Sequence, residues 1–335
     1  MSARHFLFLQ GVASPFFARL ALQLREANHR ISRINFCAGD ALQWSLPNPT
    51  HFRARFAALQ DFLHAQFAQQ AYTDVILFGD QRPIHQAAIR VAMDTGPRIH
   101  VFEEGYFRPS WITCERGGVN AASPLPKSPD WYLRVAPQLP QPPPAQYTGA
   151  ALKPRALHDM AHHLANAANP LLYPGYRTHR PFNAIIEYLG WSRRLPLQPL
   201  RRPGESRRLD ALVQNSDAFF VLPLQLNADY QVSRHSAFSG MPQVIEQVLT
   251  SFSNHAPANA KLVIKNHPLD TGLVNYRQLI ARLCRQLDLG ERIIYVETGN
   301  LDWLLQHATG TVTVNSTVGL TALSLACPTY VMGKA

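Results

Sequence analysis

The stretch TVTVNSTVGLTALSLA, Thr311 to Ala326, passes from strand to polar turn to helix within sixteen residues. Thr311 to Val314 is β-branched and reads as a short strand, and Leu320 to Ala326 offers the small-residue face of a helix packed on a sheet. Between them Asn315, Ser316 and Thr317 are N-capping types, so the first N–H groups of the helix point out over the strand's C-terminal end. An anion is favoured there. A helix cap that binds no ligand explains Ser316 and Thr317 as well, and from this stretch both readings stand. A second junction of the same kind is KLVIKNHPLD, Lys261 to Asp270, where an apolar strand runs into Lys265, Asn266, His267 and Pro268. The proline stops the ladder, which leaves Lys265 and His267 at a strand end, the place where open α/β sheets bind ligands. A lysine, a histidine and a helix N-terminus on neighbouring strand ends make a pocket for a phosphate.

The same alternation extends outward through the second half. Strands are expected at Ala218 to Leu222 and Ile293 to Val296, with Glu297 just beyond the latter, and helices at Met241 to Ser253, Tyr276 to Leu287 and Leu301 to His307. The first half repeats the theme. Strands at Phe6 to Leu9, Ile31 to Phe36, Val75 to Phe78 and Ile99 to Phe102 alternate with helices at Phe16 to Glu26, Arg53 to Gln70 and Ile84 to Asp94, which argues for a parallel sheet wrapped by helices. Two of these strands are expected to end in polar turns. One carries Gly79, Asp80, Gln81 and Arg82, and the other Glu103, Glu104 and Arg108. Neighbouring carboxylates oppose each other's ionisation, which suits acid work, and a solvated turn with an Arg108 ion pair is the plainer alternative.

Between the halves, Pro124 to Pro154 is proline-dense and expected to run extended as a connector. Helical periodicity returns at Arg155 to Ala168 and Phe182 to Leu189. WSRRLPLQPLRRPGESRR, Trp191 to Arg208, then gathers six arginines around prolines. It reads either as a solvated charged face or as a contact with an acidic membrane surface. The expected organisation is an N-terminal domain over 1–123, a connector over 124–210 and a C-terminal domain over 211–335: two Rossmann-like α/β domains facing across a cleft, the glycosyltransferase B architecture.

Composition narrows the partners. The chain has 335 residues, 46% apolar and 16% charged, enough for two real cores, and a formal net charge of +10 that favours an anionic partner. No nucleic-acid motif appears, so nucleic acid is not expected. Cys37, Cys114, Cys284 and Cys327 are far apart, show no CxxC spacing and follow no secretory signal, which reads as reduced thiols in cytoplasm. No run of eighteen apolar residues exists to span a bilayer. No DxD run exists to hold a metal, and no cofactor is expected.

The ordered series GDQRP (Gly79 to Pro83), EEGYFRP (Glu103 to Pro109), QLNAD (Gln225 to Asp229), KNHP (Lys265 to Pro268) and STVGLTAL (Ser316 to Leu323) resembles the capsule polysaccharide biosynthesis/export family over most of the chain. Within it the length and single set of motifs are similar to the one-module retaining β-Kdo transferases that start the Kdo linker on phosphatidylglycerol. The resemblance implies Asp229 of the QxxxD segment as nucleophile, and Glu103 or Glu104 as the second carboxylate. It places His267 and Pro268, with Lys265 beside them, on the phosphate of CMP-Kdo, and Ser316 at the family's serine turn. Glu297 and Thr317 join this donor side, and Asp80, Arg82, Arg108 and Gln225 complete the cleft. It implies an anionic lipid acceptor, peripheral association with the inner face of the cytoplasmic membrane, and a capsule assembly complex that includes a two-module Kdo transferase.

Some features depart from the family. Thr321 stands where some relatives have Glu, and His-Pro-Leu-Asp replaces His-Pro-Asp, which separates Asp270 from its usual place. Relatives continue beyond Gly333, Lys334 and Ala335. On the residues alone, Asp229 is also a plain turn cap. Rival readings of the scaffold are a nucleotide-sugar epimerase or other transferase, a non-catalytic export adaptor and a general anion binder.

Overall fold

Among the described residues eleven strands form two sheets, and the helices between them return the chain so that most neighbours pair in parallel. The computed structural model describes residues 2–107, 111–144, 152–178, 184–215, 217–227 and 229–334. Two compact units result, Met1–His179 and Arg180–Ala335.

In the first unit the strands are β1 (His5–Phe8), β2 (Arg30–Asn35), β3 (Thr50–His51), β4 (Asp74–Phe78), β5 (Arg98–Glu104) and β6 (Ile112–Arg116). The helices are α1 (Phe16–Glu26), α2 (Ala38–Leu42), α3 (Leu59–Gln69), α4 (Pro83–Thr95), α5 (Pro129–Val135), α6 (Leu152–Asn166) and α7 (Asn169–Leu172). The sheet order is β3-β2-β1-β4-β5-β6, with β6 antiparallel to β5 and the other pairs parallel. β1 and β4 are buried along their whole length, which is why they read as unbroken apolar runs. Their alternate side chains feed two cores. Leu7, Val75 and Leu77 meet α3 and α4 on one face, while Phe6, Phe8, Ile76 and Phe78 meet α1 on the other.

The second unit holds α8 (Ala184–Arg194), α9 (Gln198–Gln214), β7 (Phe219–Pro223), α10 (Tyr230–Ser233), α11 (Met241–His255), β8 (Lys261–Lys265), α12 (Tyr276–Gln286), β9 (Ile293–Val296), α13 (Leu301–His307), β10 (Gly310–Thr313), α14 (Val318–Ser324) and β11 (Thr329–Val331). Its parallel sheet has the order β11-β10-β7-β8-β9. Leu222, Leu262 and Ile264 pack under α11 and α12, and Val221, Val263 and Val296 pack against α9 and α13. Each fully buried aliphatic side chain of this kind stabilises the fold by about 1.5 to 3 kcal/mol.

The two units wind alike. In each, the first strand runs outward to its second and third, and the fourth returns to the other side of the first. The winding reverses between β1 and β4 in one unit and between β7 and β10 in the other, and such reversals open a crevice at the strands' C-terminal ends.

Several expectations are corrected. The proline-dense connector contains a helix, α5, because Pro129 sits at its first turn, where the missing N–H is no loss. The segment 124–210 is not a separate body: α6 and α7 belong to the first unit and α8 and α9 to the second. The arginine-rich stretch, for which the sequence reading set no secondary structure, runs from the end of α8 into α9, which continues past an interior Pro203 that forfeits one backbone bond. Helix α3 begins at Leu59, six residues later than expected. Glu103 and Glu104 lie within β5 rather than in a turn after it. Arg108 and Pro109 of the EEGYFRP motif, and Ala228 of QLNAD, fall outside the described residues.

Candidate functional site

In the second unit the end of β8 carries Lys265, and the loops leaving β7, β8, β9 and β10 carry Gln225 and Asp229, Asn266 to Pro268, Glu297, and Ser316 with Thr317. All lie at the C-terminal edge of one sheet. Across the β7–β10 switch point, buried Gln225 uses its Oε1 to accept the Asn315 N–H at 3.3 Å. The Asn315 amide in turn donates to the carbonyls of Gln231 (2.7 Å) and His235 (2.9 Å), which ties the β10 loop to the segment carrying α10. Asn227 accepts the Met241 N–H at 3.0 Å and so caps α11. Asp229 caps α10, its Oδ1 accepting the Gln231 N–H at 2.9 Å. The capping role weighed from sequence is therefore real, and it holds the carboxylate at a fixed place just beyond the strand.

The β8 loop is the most elaborately built. Asn266 donates its side-chain amide to Asp270 Oδ2 at 3.2 Å, and the same oxygen accepts the Gly272 N–H at 3.0 Å. Asp270, displaced by one residue from the family's pattern, thus braces the loop from within. His267 Nδ1 accepts the Leu269 N–H at 3.1 Å. A ring nitrogen that accepts cannot carry the proton, so the neutral imidazole holds it on Nε2, which becomes a donor. Lys265 is buried, its carbonyl accepting the Leu224 N–H at 2.8 Å, and its ammonium makes no hydrogen bond or ion pair among the described residues. Burial, then the neighbouring Arg194, lowers its pKa from the ordinary lysine value, while Glu205 pulls the other way. An ammonium in that position gains most from an anion.

Glu297 is buried among cations. Its carboxylate meets Arg194 Nε at 3.1 Å and Arg277 Nη2 at 3.4 Å, and pairs with Arg201. Behind it the buried Glu205 accepts the N–H groups of Glu297 (3.1 Å) and Thr298 (2.9 Å). Ser316 Oγ accepts the Val318 N–H at 3.2 Å in the turn that leads into α14, and keeps its hydroxyl hydrogen for another acceptor. Thr317 makes no side-chain cap.

In the first unit the residues singled out again gather at the C-terminal sheet edge. Asp80 is buried, with Oδ2 accepting the Val119 N–H at 3.1 Å and Oδ1 accepting from Gln81 at 3.1 Å. Arg82 donates to Gly11 O (2.9 Å) and Gln10 Oε1 (3.3 Å) across the β1–β4 switch point. Glu103 Oε1 accepts the Glu104 N–H at 3.0 Å, and Glu104 pairs with Arg155 of α6. Consecutive strand residues point to opposite faces, so the two carboxylates leave β5 on opposite sides. Gly105 follows because a Cβ there would lie 2.0 Å from Trp111 O.

Sequence reasoning missed Arg194 and Glu205 as parts of the site, and named Asn266, Asp270 and Asn315 without the bracing roles they have here. Glu205 left a signal: with Leu209 and Leu212 it shares the buried face of α9, and a carboxylate on an apolar helix face asks for a partner. Arg194 left none. Among the described residues no group of three or more His, Cys, Asp or Glu is placed to hold a metal ion, and no helix is long and apolar enough to cross a membrane.

Comparison with known proteins agrees with the motif series. Residues 73–335 match the family described as capsule polysaccharide biosynthesis protein. The capsule polysaccharide modification protein LipB of Neisseria meningitidis serogroup B is 36% identical over 345 residues, covering 100% of this chain and 81% of that protein. The capsule polysaccharide export protein KpsS of Escherichia coli is 36% identical over 342 residues, covering 100% and 86%. A solved structure, Thermosulfurimonas dismutans KpsC, beta Kdo 2,7 transferase, is similar over 98% of this chain and 79% of that one, at 14% identity and a TM-score of 0.47. With a family match over most of its length and full-length relatives at this identity, the chain belongs to the capsule polysaccharide biosynthesis protein family.

Proposed function

We propose that the protein is a retaining glycosyltransferase that moves β-Kdo from CMP-Kdo to a (lyso)phosphatidylglycerol acceptor in capsule linker synthesis. The observation that carries the reading is the end of β8, where a buried Lys265 that makes no ion pair among the described residues stands beside a His267 whose Nδ1 accepts and whose Nε2 therefore carries the proton. Both suit the phosphate of a nucleoside monophosphate leaving group, which needs charge stabilisation more than it needs a proton. Asp229 attacks the anomeric carbon as the bond to CMP breaks. The acceptor hydroxyl then displaces Asp229, with Glu103 or Glu104 taking its proton, and two inversions give retention. The Ser316 hydroxyl joins the donor side.

The reading includes peripheral association with the inner face of the cytoplasmic membrane, beside other capsule assembly proteins such as a two-module Kdo transferase. Its support is the surface of α8 and α9, where Ile185, Ile186, Leu189 and Leu200 are exposed together with Arg193, Arg202, Arg207 and Arg208. Basic residues beside exposed apolar ones suit acidic headgroups. The deciding experiment is mass spectrometry of the products formed from CMP-Kdo and lysophosphatidylglycerol. Lipid heavier by one Kdo, with CMP released, is expected. Absence of both at concentrations where CMP binds would leave a non-catalytic role.

A further inference from the structure

Arg194 ends α8 within the arginine-rich stretch, yet it is buried, and the β8 loop is folded around it. Its Nη1 donates to Pro268 O at 3.2 Å and to Asp270 O at 2.6 Å, its Nη2 to His267 O at 3.2 Å, and its Nε to Glu297 at 3.1 Å. Three carbonyls of one short loop therefore converge on a single guanidinium. Two further contacts seat the helix on the same loop. The Trp191 indole donates to Leu269 O at 3.0 Å, and Gly190 lies so close to Thr271 that a Cβ would sit 2.3 Å from its carbonyl oxygen.

This arrangement has an electrostatic consequence. Carbonyl oxygens facing a phosphate would repel it, and here those of His267, Pro268 and Asp270 are drawn onto Arg194 instead. The same turn brings the Leu269 N–H onto His267 Nδ1, which makes Nε2 the donor. We propose that Arg194 is a positioning residue that holds the β8 loop in its phosphate-binding conformation and, through that turn, fixes the tautomer of His267. Only an arginine does this. Its planar fork reaches several acceptors at once, whereas a lysine at the same place keeps the charge beside Glu297 and loses the fork.

The phosphate part of this inference rests on the donor reading above, so the test reads the loop and the ligand separately. Imidazole nitrogens are observed by two-bond nitrogen–proton correlation in the full-length protein labelled with nitrogen-15 histidine, with His267→Gln giving the assignment. CMP affinity is measured by calorimetry on the same samples, and thermal unfolding reports the fold. In wild type the His267 proton is expected on Nε2. In Arg194→Lys, and again in Arg194→Gln, the ring should show mixed tautomers and CMP should bind about tenfold more weakly or worse, with unfolding still cooperative. Arg194→Lys keeps the charge beside Glu297, so it carries the test should Arg194→Gln fail to fold.

The Nε2 tautomer retained in both variants would overturn the proposal. Loss of the tautomer at unchanged CMP affinity would overturn the claim that the loop's conformation serves a phosphate. Wild-type protein that does not bind CMP would sink the donor reading, and the tautomer alone would then judge Arg194.

Discussion

The two switch points share a winding and a dipeptide, and they differ in how their polar groups are satisfied. β1 runs into Leu9-Gln10 and β7 into Leu224-Gln225, each glutamine standing where the sheet reverses direction. In the first unit Gln10 is held between Arg82 (3.3 Å) and Asp40 (3.2 Å). Arg33 is buried over the Trp44 ring and donates to Leu9 O and to Asn35 Oδ1, the latter at 2.7 Å. Asn169 and Asn166 occupy the N–H groups of Ala38 and Gly39, each at 2.8 Å, so side chains from α6 and α7 close the start of α2. That edge is knitted shut by its own residues. In the second unit three loop carbonyls are turned onto Arg194, and the Leu269 N–H onto His267 Nδ1, with the buried Lys265 beside them. One scaffold therefore carries one edge that completes itself and one that, on the proposed donor reading, an anion completes.

The largest expected effect tests whether the chemistry belongs to the second edge. Asp229→Asn should lower transfer on the order of a thousandfold or more while keeping CMP binding, because it removes the proposed nucleophile and retains a side chain able to cap α10. A digest of wild type incubated with CMP-Kdo should show one peptide, containing Asp229, heavier by a Kdo residue. Transfer near the wild-type rate, or an adduct on Glu103 or Glu104, would move the chemistry to the other unit.

Next in size is a stability effect confined to the first edge. Asp40 accepts the Phe36 N–H at 3.1 Å and the Gln10 amide, and lies 3.8 Å from Arg33. Asp40→Ala should cost about 3 to 5 kcal/mol, since it strands a buried guanidinium. Denaturant titration checks this, and CMP affinity per folded molecule should be unchanged. A loss of CMP affinity without loss of stability would break the contrast between the edges.

Lys265→Met should do the opposite. CMP binding should weaken by about ten- to a hundredfold, the worth of one charge-assisted contact, while the unliganded protein becomes more stable by on the order of 1 kcal/mol. The sign follows from linkage. With the folded pKa lowered by burial and Arg194, the charged form disfavours folding at neutral pH. That cost fades as pH rises from the folded toward the unfolded lysine pKa, where the unfolded chain binds more protons. The stability difference between Lys265→Met and wild type should accordingly shrink above neutral pH. A difference that grows, or Lys265→Met less stable at pH 7, would mean that the ammonium has a partner.

The sequence disclosed these edges unevenly, for physical reasons. Helix α1 and strand β9 fall where periodicity places them, because buried strands and one-sided helices print their burial on the chain. Strand β6 was missed because it is an edge strand, exposed at alternate positions and only half-buried between them, with no apolar rhythm to read. The KNHP, QLNAD and STVG turns were legible because each interrupts an apolar run with residues that end strands. Arg194 was not legible, since nothing in its spacing separates it from Arg193 beside it. Its burial comes from tertiary docking, in which Gly190 lets α8 approach the β8 loop.

The smallest effect divides the six arginines of Trp191 to Arg208 along the same line. Arg193, Arg202, Arg207 and Arg208 are exposed, whereas Arg194 is buried and Arg201 pairs with Glu297. If the exposed set meets an acidic surface, each contributes about 1 kcal/mol near the headgroups, fading over a Debye length of about 8 Å at physiological salt. Arg202→Gln, Arg207→Gln and Arg208→Gln should each weaken flotation with phosphatidylglycerol vesicles by about fivefold at most, leave CMP affinity alone, and add when combined. Raising salt should erase most of the wild-type binding. Arg201→Gln should leave flotation nearly unchanged, because its guanidinium is already spent on Glu297, and should instead loosen the wall behind the β8 loop. Flotation equal with neutral vesicles, or as sensitive to Arg201→Gln as to Arg202→Gln, would mean that the exposed arginines are a solvated face and that the helices meet the membrane, if at all, through Ile185, Ile186 and Leu189.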